Sequence, residues 1–246
     1  MPENRNASKL WTKALRKRYD NRSVVDGVDI SITAGSVIGL LGPNGAGKTT
    51  TFYMVVGLAQ PDSGNVFLGD EEITALPMYQ RARRGISYLP QEASVFRKLT
   101  VADNLLAIIE TVEPDKIARR QKMEQLLEEF SITHIASSMG YALSGGERRR
   151  VEIARALITN PLFILLDEPF AGIDPIAVAD IQGLIVSLKN KNIGVLISDH
   201  NVRETLSVCD TAYIMSSGVV LEYGTPDEIA TSKKAREIYL GKDFRL

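Results

Sequence analysis

The chain has one cysteine in 246 residues, and Cys209 alone can form neither an internal disulfide nor a cysteine metal cage. Such usage fits a reducing cytoplasm, and the residue reads as a small member of the core. Histidine is nearly as scarce, with only His134 and His200. Long apolar runs are missing too: stretches such as Phe163-Ile164-Leu165-Leu166 and Val195-Leu196-Ile197 fall far short of the roughly 20 residues that span a bilayer. If the protein moves anything across a membrane, other chains must supply the path. Nor does one sign of charge dominate. The 29 Lys and Arg and 30 Asp and Glu leave a net charge of -1, so no global field draws the chain to nucleic acid or anionic lipid, and neither is expected as a partner. The basic runs Arg81-Ala82-Arg83-Arg84 and Arg148-Arg149-Arg150 cannot each form one patch, because consecutive helix residues point about 100° apart. They are expected on solvated faces and in intramolecular pairs. Residues 1–20 are polar and basic, without an apolar stretch of signal-peptide length.

What is present is an alternation of short β-branched apolar runs with longer helical patterns, the texture of buried strands in a mainly parallel α/β sheet. Residues 37–41, 163–166 and 195–198 are the candidates. A different texture, residues 24–32 and 65–68 with turns at Ala34-Gly35, Pro61-Asp62-Ser63-Gly64 and Gly69-Asp70, predicts antiparallel strands in a separate β layer. Between about 101 and 135 the pattern is helical: Met123, Leu126, Leu127 and Phe130 recur at i, i+3, i+4 and i+7, and Pro114-Asp115 opens one helix. Neither repeats nor low-complexity segments occur in the sequence.

Gly42-Pro43-Asn44-Gly45-Ala46-Gly47-Lys48-Thr49 fits the phosphate-loop pattern G-x-x-x-x-G-K-[ST], between an apolar strand and a helix that begins near Thr50. In that pattern the glycines let backbone N–H groups curl around phosphates, Lys48 reaches the β- and γ-phosphates, and Thr49 ligates magnesium. Farther on, an apolar strand ends in Asp167-Glu168. Adjacent residues at a strand end face opposite ways, so Asp167 is assigned to magnesium and Glu168 to polarising the attacking water. Leu143-Ser144-Gly145-Gly146-Glu147 predicts a capping box at the start of a helix, with two glycines that a capping box does not require and that bare N–H groups to a phosphate. Two phosphate-binding segments for one nucleotide suggest a dimer, in which one copy holds ATP and its partner closes over it. His200 follows a strand at the expected ligand edge, where a neutral imidazole can donate one hydrogen bond and accept another. His134 has no partner motif and is expected at the surface.

Taken in order, the phosphate loop, Gln91 in Leu89-Pro90-Gln91-Glu92, Leu143–Glu147, Asp167-Glu168, Ala171-Gly172-Ile173-Asp174 and Asp199-His200 resemble the nucleotide-binding subunits of ABC transporters over nearly the whole chain. The resemblance implies an α/β fold, a P-loop NTPase with a mainly parallel core sheet, an antiparallel β layer and a helical subdomain at about 101–160 within a single domain of 1–246. It also implies two subunits sandwiching two ATP molecules, each held by the phosphate loop of one and the Ser144-Gly145-Gly146 signature of the other. On that pattern Ser144 and Gly146 touch the γ-phosphate, Asp174 links the two sites, and Gln91 approaches magnesium and water while sensing a transmembrane partner. His200 holds the γ-phosphate and the water, and Tyr19 stacks on adenine; Trp11 lies too early for that place. Glu147 stands where a common version of the signature has Gln, a departure that touches no step of hydrolysis.

Within the family, residues 51–58, 88–97, 146–152, 199–205 and 239–246 are similar to the ATPase subunits of bacterial lipopolysaccharide exporters. That similarity implies a homodimer, peripheral on the cytoplasmic face of the inner membrane, bound to two membrane subunits that handle the lipopolysaccharide themselves. Phe96 and Arg97 would border the groove receiving a partner's short helix, and Phe244 would pack the tail on the other copy. Two alternatives stand beside it. One is the ATPase subunit of a branched-chain amino acid importer, whose Asp-Glu-Pro-x-Ala-Gly segment is similar to residues 167–172. The other is a soluble ATP-switched clamp on nucleic acid or ribosome, which usually carries two cassettes or a long coiled-coil insertion.

Overall fold

Three five-residue strands are buried at every position, which requires a sheet covered on both faces. A computed structural model describes residues 9–241, Phe244 and Leu246. In chain order its strands are β1 (Lys9–Tyr19), β2 (Arg22–Val28), β3 (Ser31–Thr33), β4 (Val37–Leu41), β5 (Ser63–Leu68), β6 (Glu71–Glu72), β7 (Ile86–Leu89), β8 (Phe163–Asp167), β9 (Gly194–Ser198), β10 (Thr211–Ser216) and β11 (Val219–Gly224). The helices are α1 (Lys48–Val56), α2 (Met78–Arg83), α3 (Val101–Ile109), α4 (Lys116–Glu129), α5 (Gly145–Leu157), α6 (Pro175–Asn190), α7 (Val202–Leu206), α8 (Pro226–Thr231) and α9 (Lys233–Ala235).

The core sheet has the order β11-β10-β4-β9-β8-β7, parallel except for β11. Its alternating side chains divide the interior in two. Ile164, Leu166, Val195 and Ile197 face Val151 and Ile153 of α5 and Ile181 and Ile185 of α6. Phe163, Leu165, Leu196 and Leu40 face α1 and the antiparallel layer, through Phe52, Met54, Leu10 and Val66. Strands that are apolar on both faces therefore hold helices on one side and α1 with a second sheet on the other.

That second sheet, β2-β1-β5-β6 with β3 beside β1, contains a strand absent from the sequence reading and splits one that was expected whole. β1 lies in the basic N-terminal stretch, where apolar inward positions such as Leu10 and Leu15 alternate irregularly with Lys and Arg. The expected strand 24–32 breaks at Asp29-Ile30. There Ile30 donates its N–H to the Thr12 hydroxyl, and Ala14 donates its N–H to the Asp29 carboxylate, so side chains replace ladder bonds to β1.

In the helical stretch, Thr100 caps α3 and Asp115 caps α4, each side chain accepting an N–H three residues on. Leu126, Leu127 and Phe130 are buried, with Met123 packed against them. Cys209 is buried and His134 exposed, as expected.

The basic runs need correction. Arg83 is exposed and Arg84 pairs with Glu71, but Arg81 is completely buried. In the second run Arg150 pairs with Asp180 and Arg149 with Glu152, both intramolecular as expected, but the Arg149 pair is buried. Helix rotation turns one arginine of each run into the core, and hydrogen bonds there replace solvation.

Candidate nucleotide site

Register places the chemistry. Leu40, Ser198 and Asp167 stand in one row across β4, β9 and β8, and Leu89 of β7 stands beside Leu166. The phosphate loop, Asp199-His200, Asp167-Glu168 and Pro90-Gln91 consequently leave the sheet along one carboxyl edge, where open α/β sheets bind ligands.

The phosphate loop is shaped by its glycines. Gly42 has φ 148°, and a Cβ there would lie 2.2 Å from the Met215 carbonyl oxygen; Gly47 has φ 99°, with 2.5 Å to that of Val24. Only glycine fits such approaches. Gly47 is also the N-cap of α1 and supplies no side-chain bond, so the first-turn N–H groups carry no cap and the positive helix end faces the loop. Lys48 is buried, and its Nζ donates to the carbonyls of Gly42 (2.7 Å) and Pro43 (3.1 Å). Burial lowers its pKa, against the opposing pull of the Glu168, Asp199 and Asp167 carboxylates. Thr49, Asn44 and Gly45 are exposed and Thr50 half-buried. A cleft of about 260 Å³ along the loop is lined by Pro43, Asn44, Gly45 and Ala46 together with Arg22 and Ser217. Tyr19 ends β1, 47% exposed, with the Lys17 ammonium 5.6 Å over its ring; it does not line that cleft.

On the same edge stands a group of polar side chains. Gln91 Nε2 donates to Glu168 Oε2 at 2.8 Å, and His200 Nδ1 lies 3.4 Å from the same oxygen. Glu168 occupies the left-handed region at φ 45°, and its N–H donates to the Ser198 carbonyl at 2.6 Å. A non-glycine residue held there is strained, and such strain is typical of a side chain that must be aimed. Asp167, its neighbour, is buried, with the Tyr88 hydroxyl donating to Oδ2 at 3.4 Å. Burial first, then the Glu168 charge, push its carboxyl up to about 6. The four residues Lys48, Gln91, Glu168 and His200 thus belong to one edge, as expected from their motifs.

Ser144 forms the predicted capping box with Glu147 at the start of α5. Gly145 and Gly146 abut the segment that leads into α6: added Cβ atoms would lie 3.2 Å from the Gly172 carbonyl and 3.0 Å from the Ala177 methyl. Asp174 caps α6, accepting the Ile176 N–H at 2.9 Å. The Ser144 hydroxyl bonds within its own helix start, to Glu147. The predicted residues therefore form two groups: the sheet edge, and the signature with Asp174.

Three contributors had no role assigned to them from the sequence. Tyr88 supports Asp167. Arg149 donates to the carbonyls of Pro90 (3.1 Å) and Asp167 (3.3 Å) and so ties α5 to both chemical segments; its place in a basic run concealed this. Asp199, fully buried, accepts N–H bonds from Phe170 (3.0 Å) and Asn201 (2.7 Å). It staples the segment after Glu168 to the one holding His200. Burial raises its pKa, and the two N–H bonds oppose the rise. Asp199→Ala leaves two N–H groups without partners, at about 1–3 kcal/mol each, so the expected loss of stability is about 2–6 kcal/mol, read by urea unfolding. A change below about 1 kcal/mol would show that the staple is dispensable.

Comparison with known proteins places this geometry. The sequence model of the ABC transporter family matches residues 25–171. The lipopolysaccharide export system ATP-binding protein LptB of Escherichia coli K12 is 56% identical over 239 residues, 96% of this chain and 99% of its own. LptB of Haemophilus influenzae is 55% identical over 240 residues, again 96% and 99%. Among solved structures, the ADP conformation of an ABC transporter ATP-binding cassette is 31% identical and superposes with a TM-score of 0.84, covering 95% of this chain and 98% of that one.

Proposed function

The chain belongs to the ABC transporter family and is an ATP-binding ATPase, and from that premise we propose that it powers export of lipopolysaccharide from the bacterial inner membrane toward the outer membrane. The observation that carries the cargo assignment is the likeness to the LptB proteins over almost the full length of both chains. In this reading the protein is a homodimer, peripheral on the cytoplasmic face, seated on two membrane subunits that bind the lipopolysaccharide. No helix among the described residues is long and apolar enough to cross a membrane. One ATPase domain spans 1–246, with α3, α4 and α5 as its helical subdomain at about 101–160.

In this reading, backbone N–H groups of residues 44–50 cradle the phosphates, and Lys48 turns its Nζ from the loop carbonyls to the β- and γ-phosphates. Glu168 accepts a proton from the attacking water, oriented by the Gln91 amide, while His200 holds the γ-phosphate. Asp167, the Thr49 hydroxyl and the Gln91 amide oxygen are hard oxygen donors, few in number, a set that suits magnesium completed by phosphate and water. Magnesium held there would supply positive charge to offset that of the phosphates. Tyr19 offers its exposed ring to adenine. The partner copy supplies Ser144, Gly145 and Gly146 to the γ-phosphate, with Asp174 between the two sites.

A groove of about 470 Å³ supports a seat for the membrane subunits on this face. Leu58, Met78, Ala82, Tyr88 and Ile108 line it, with Arg155 at its side. Phe96 and Arg97 are not among its lining residues; Phe96, 44% exposed, meets the groove through Arg155, whose guanidinium lies 4.4 Å over its ring, and exposed Arg97 follows. The occupant is a short helix of the membrane subunit, whose apolar face suits the lining. Phe244 lies beside Arg203, 5.7 Å from its guanidinium to the ring centroid, and packs with Leu41 and Tyr239 of its own chain; the tail contact with the other copy is part of the proposal. Lys242, Asp243 and Arg245 of the quoted tail lie outside the described residues.

The test is recovery of tagged Glu168→Gln protein from native membranes in ATP. Two membrane subunits with bound lipopolysaccharide are expected. An amino-acid-binding system, or no membrane protein, would overturn the cargo and leave the ATPase intact.

A further inference from the structure

We infer that Arg81 is a positioning residue that ties the partner groove to the phosphate-binding helix, so that a push on α2 reaches Lys48 by a route separate from Gln91. The inference rests on the groove being the seat of the membrane subunit.

Arg81 is fully buried, and among the described residues no carboxylate pairs with it. Its guanidinium is satisfied by backbone alone. One terminal nitrogen donates to the carbonyls of Met54 and Val55, both at 2.7 Å; the other donates to Thr74 at 2.8 Å, and Nε donates to Leu76 at 2.9 Å. Met54 and Val55 are in the last turn of α1, whose carbonyls have no helical partners and whose dipole end is negative. The cation therefore stands as the charge complement of the helix that begins at Lys48.

Room for the fork comes from Gly57, in the left-handed region at φ 89°, where a Cβ would lie 2.8 Å from Arg81 Nε. A buried cation is costly, and an apolar side chain of similar volume could fill the space. What the apolar replacement cannot do is bond two elements in fixed geometry. Burial lowers the pKa of Arg81 to about 10, which still leaves the fork charged at neutral pH.

The other end of the linkage is the groove. Met78, one helical turn before Arg81, and Ala82, directly after it, both line that groove. Leu58 lines it as well, immediately beyond the Gly57 cap of α1. A helix seated in the groove thus presses on α2 and on the C-terminal end of α1. Arg81 binds those two ends together, and α1 is one rigid nine-residue element down to Lys48.

The test separates coupling from folding. Arg81→Lys keeps the charge but loses the four-way fork. ATP turnover is measured for the variant alone and in complex with the membrane subunits, with complex recovery scored separately. Expected are normal recovery and a fall of about three- to thirtyfold in the ratio of complexed to free activity, beyond any loss in the free protein. Equal losses in both activities, or an unchanged ratio, would overturn the inference. If the unsubstituted chain recovers no membrane subunit, the groove assignment fails instead.

A second measurement needs no variant. Hydrogen exchange of the unsubstituted protein, free and complexed, is expected to show protection rising at 54–57 and 74–76 together with α2. Protection confined to α2 and the groove rim would count against the linkage even if Arg81→Lys did not fold.

Discussion

Glu168→Gln is expected to cut ATP turnover by about 10²–10⁴-fold while leaving ATP binding near its original strength. The substitution keeps side-chain size, and the main-chain bond to Ser198 that holds the strained φ does not involve the carboxylate. What disappears is the carboxylate assigned to the water's proton; the one oxygen that an amide keeps can still accept the Gln91 N–H. Lys48 and the loop glycines are untouched, so nucleotide still binds. In the proposed dimer, whose copies close over ATP, a variant that binds ATP without hydrolysing it should accumulate as an ATP-dependent dimer, seen by light scattering with and without ATP. Turnover within about threefold of the unsubstituted protein would remove Glu168 from its role and force the base elsewhere.

The sheet edge was legible in the sequence because phosphate chemistry restricts residue type at fixed spacing. Gly42 and Gly47 are required by backbone approach, and Lys48, Asp167 and Glu168 by charge, so their motifs carry geometry directly. Strands β4, β8 and β9 were equally plain: burial on both faces leaves an uninterrupted apolar run. β1 was not, since its outward positions are mostly Lys and Arg and its register shifts against β2 and β5. Arg81 and Arg149 were hidden for another reason. A buried arginine bonded to carbonyls has partners without sequence identity, because any residue supplies a carbonyl. Asp199 shares that property in reverse, as its partners are the backbone N–H groups of Phe170 and Asn201. Side chains that bond to backbone leave no complementary residue to search for, and the positioning elements of this site are of that kind.

Mixing two inactive variants should restore activity if the signature works on the other copy's nucleotide. Consider Lys48→Ala, which damages the phosphate loop, and Ser144→Arg, which places a bulky cation at the signature. Each homodimer has two damaged sites and should be nearly inactive. In a mixed dimer with composite sites, one site combines both lesions and the other has neither. Were each signature to serve its own loop, every site would carry one lesion and mixing would restore nothing. The structure favours the composite arrangement. The Ser144 hydroxyl bonds to Glu147, Gly145 and Gly146 face the 172–177 segment, and the cleft along the phosphate loop is lined by no signature residue. Random exchange at equal concentrations makes about half of all dimers mixed, and non-cooperating sites then predict about one quarter of the normal rate. If hydrolysis requires both sites, turnover stays low. A second reading then decides: mixed dimers trap one ATP per dimer in the composite arrangement, measured by nucleotide retained after rapid gel filtration. Failure to recover either turnover or trapped nucleotide, with exchange verified by two tags, would place each signature with its own loop.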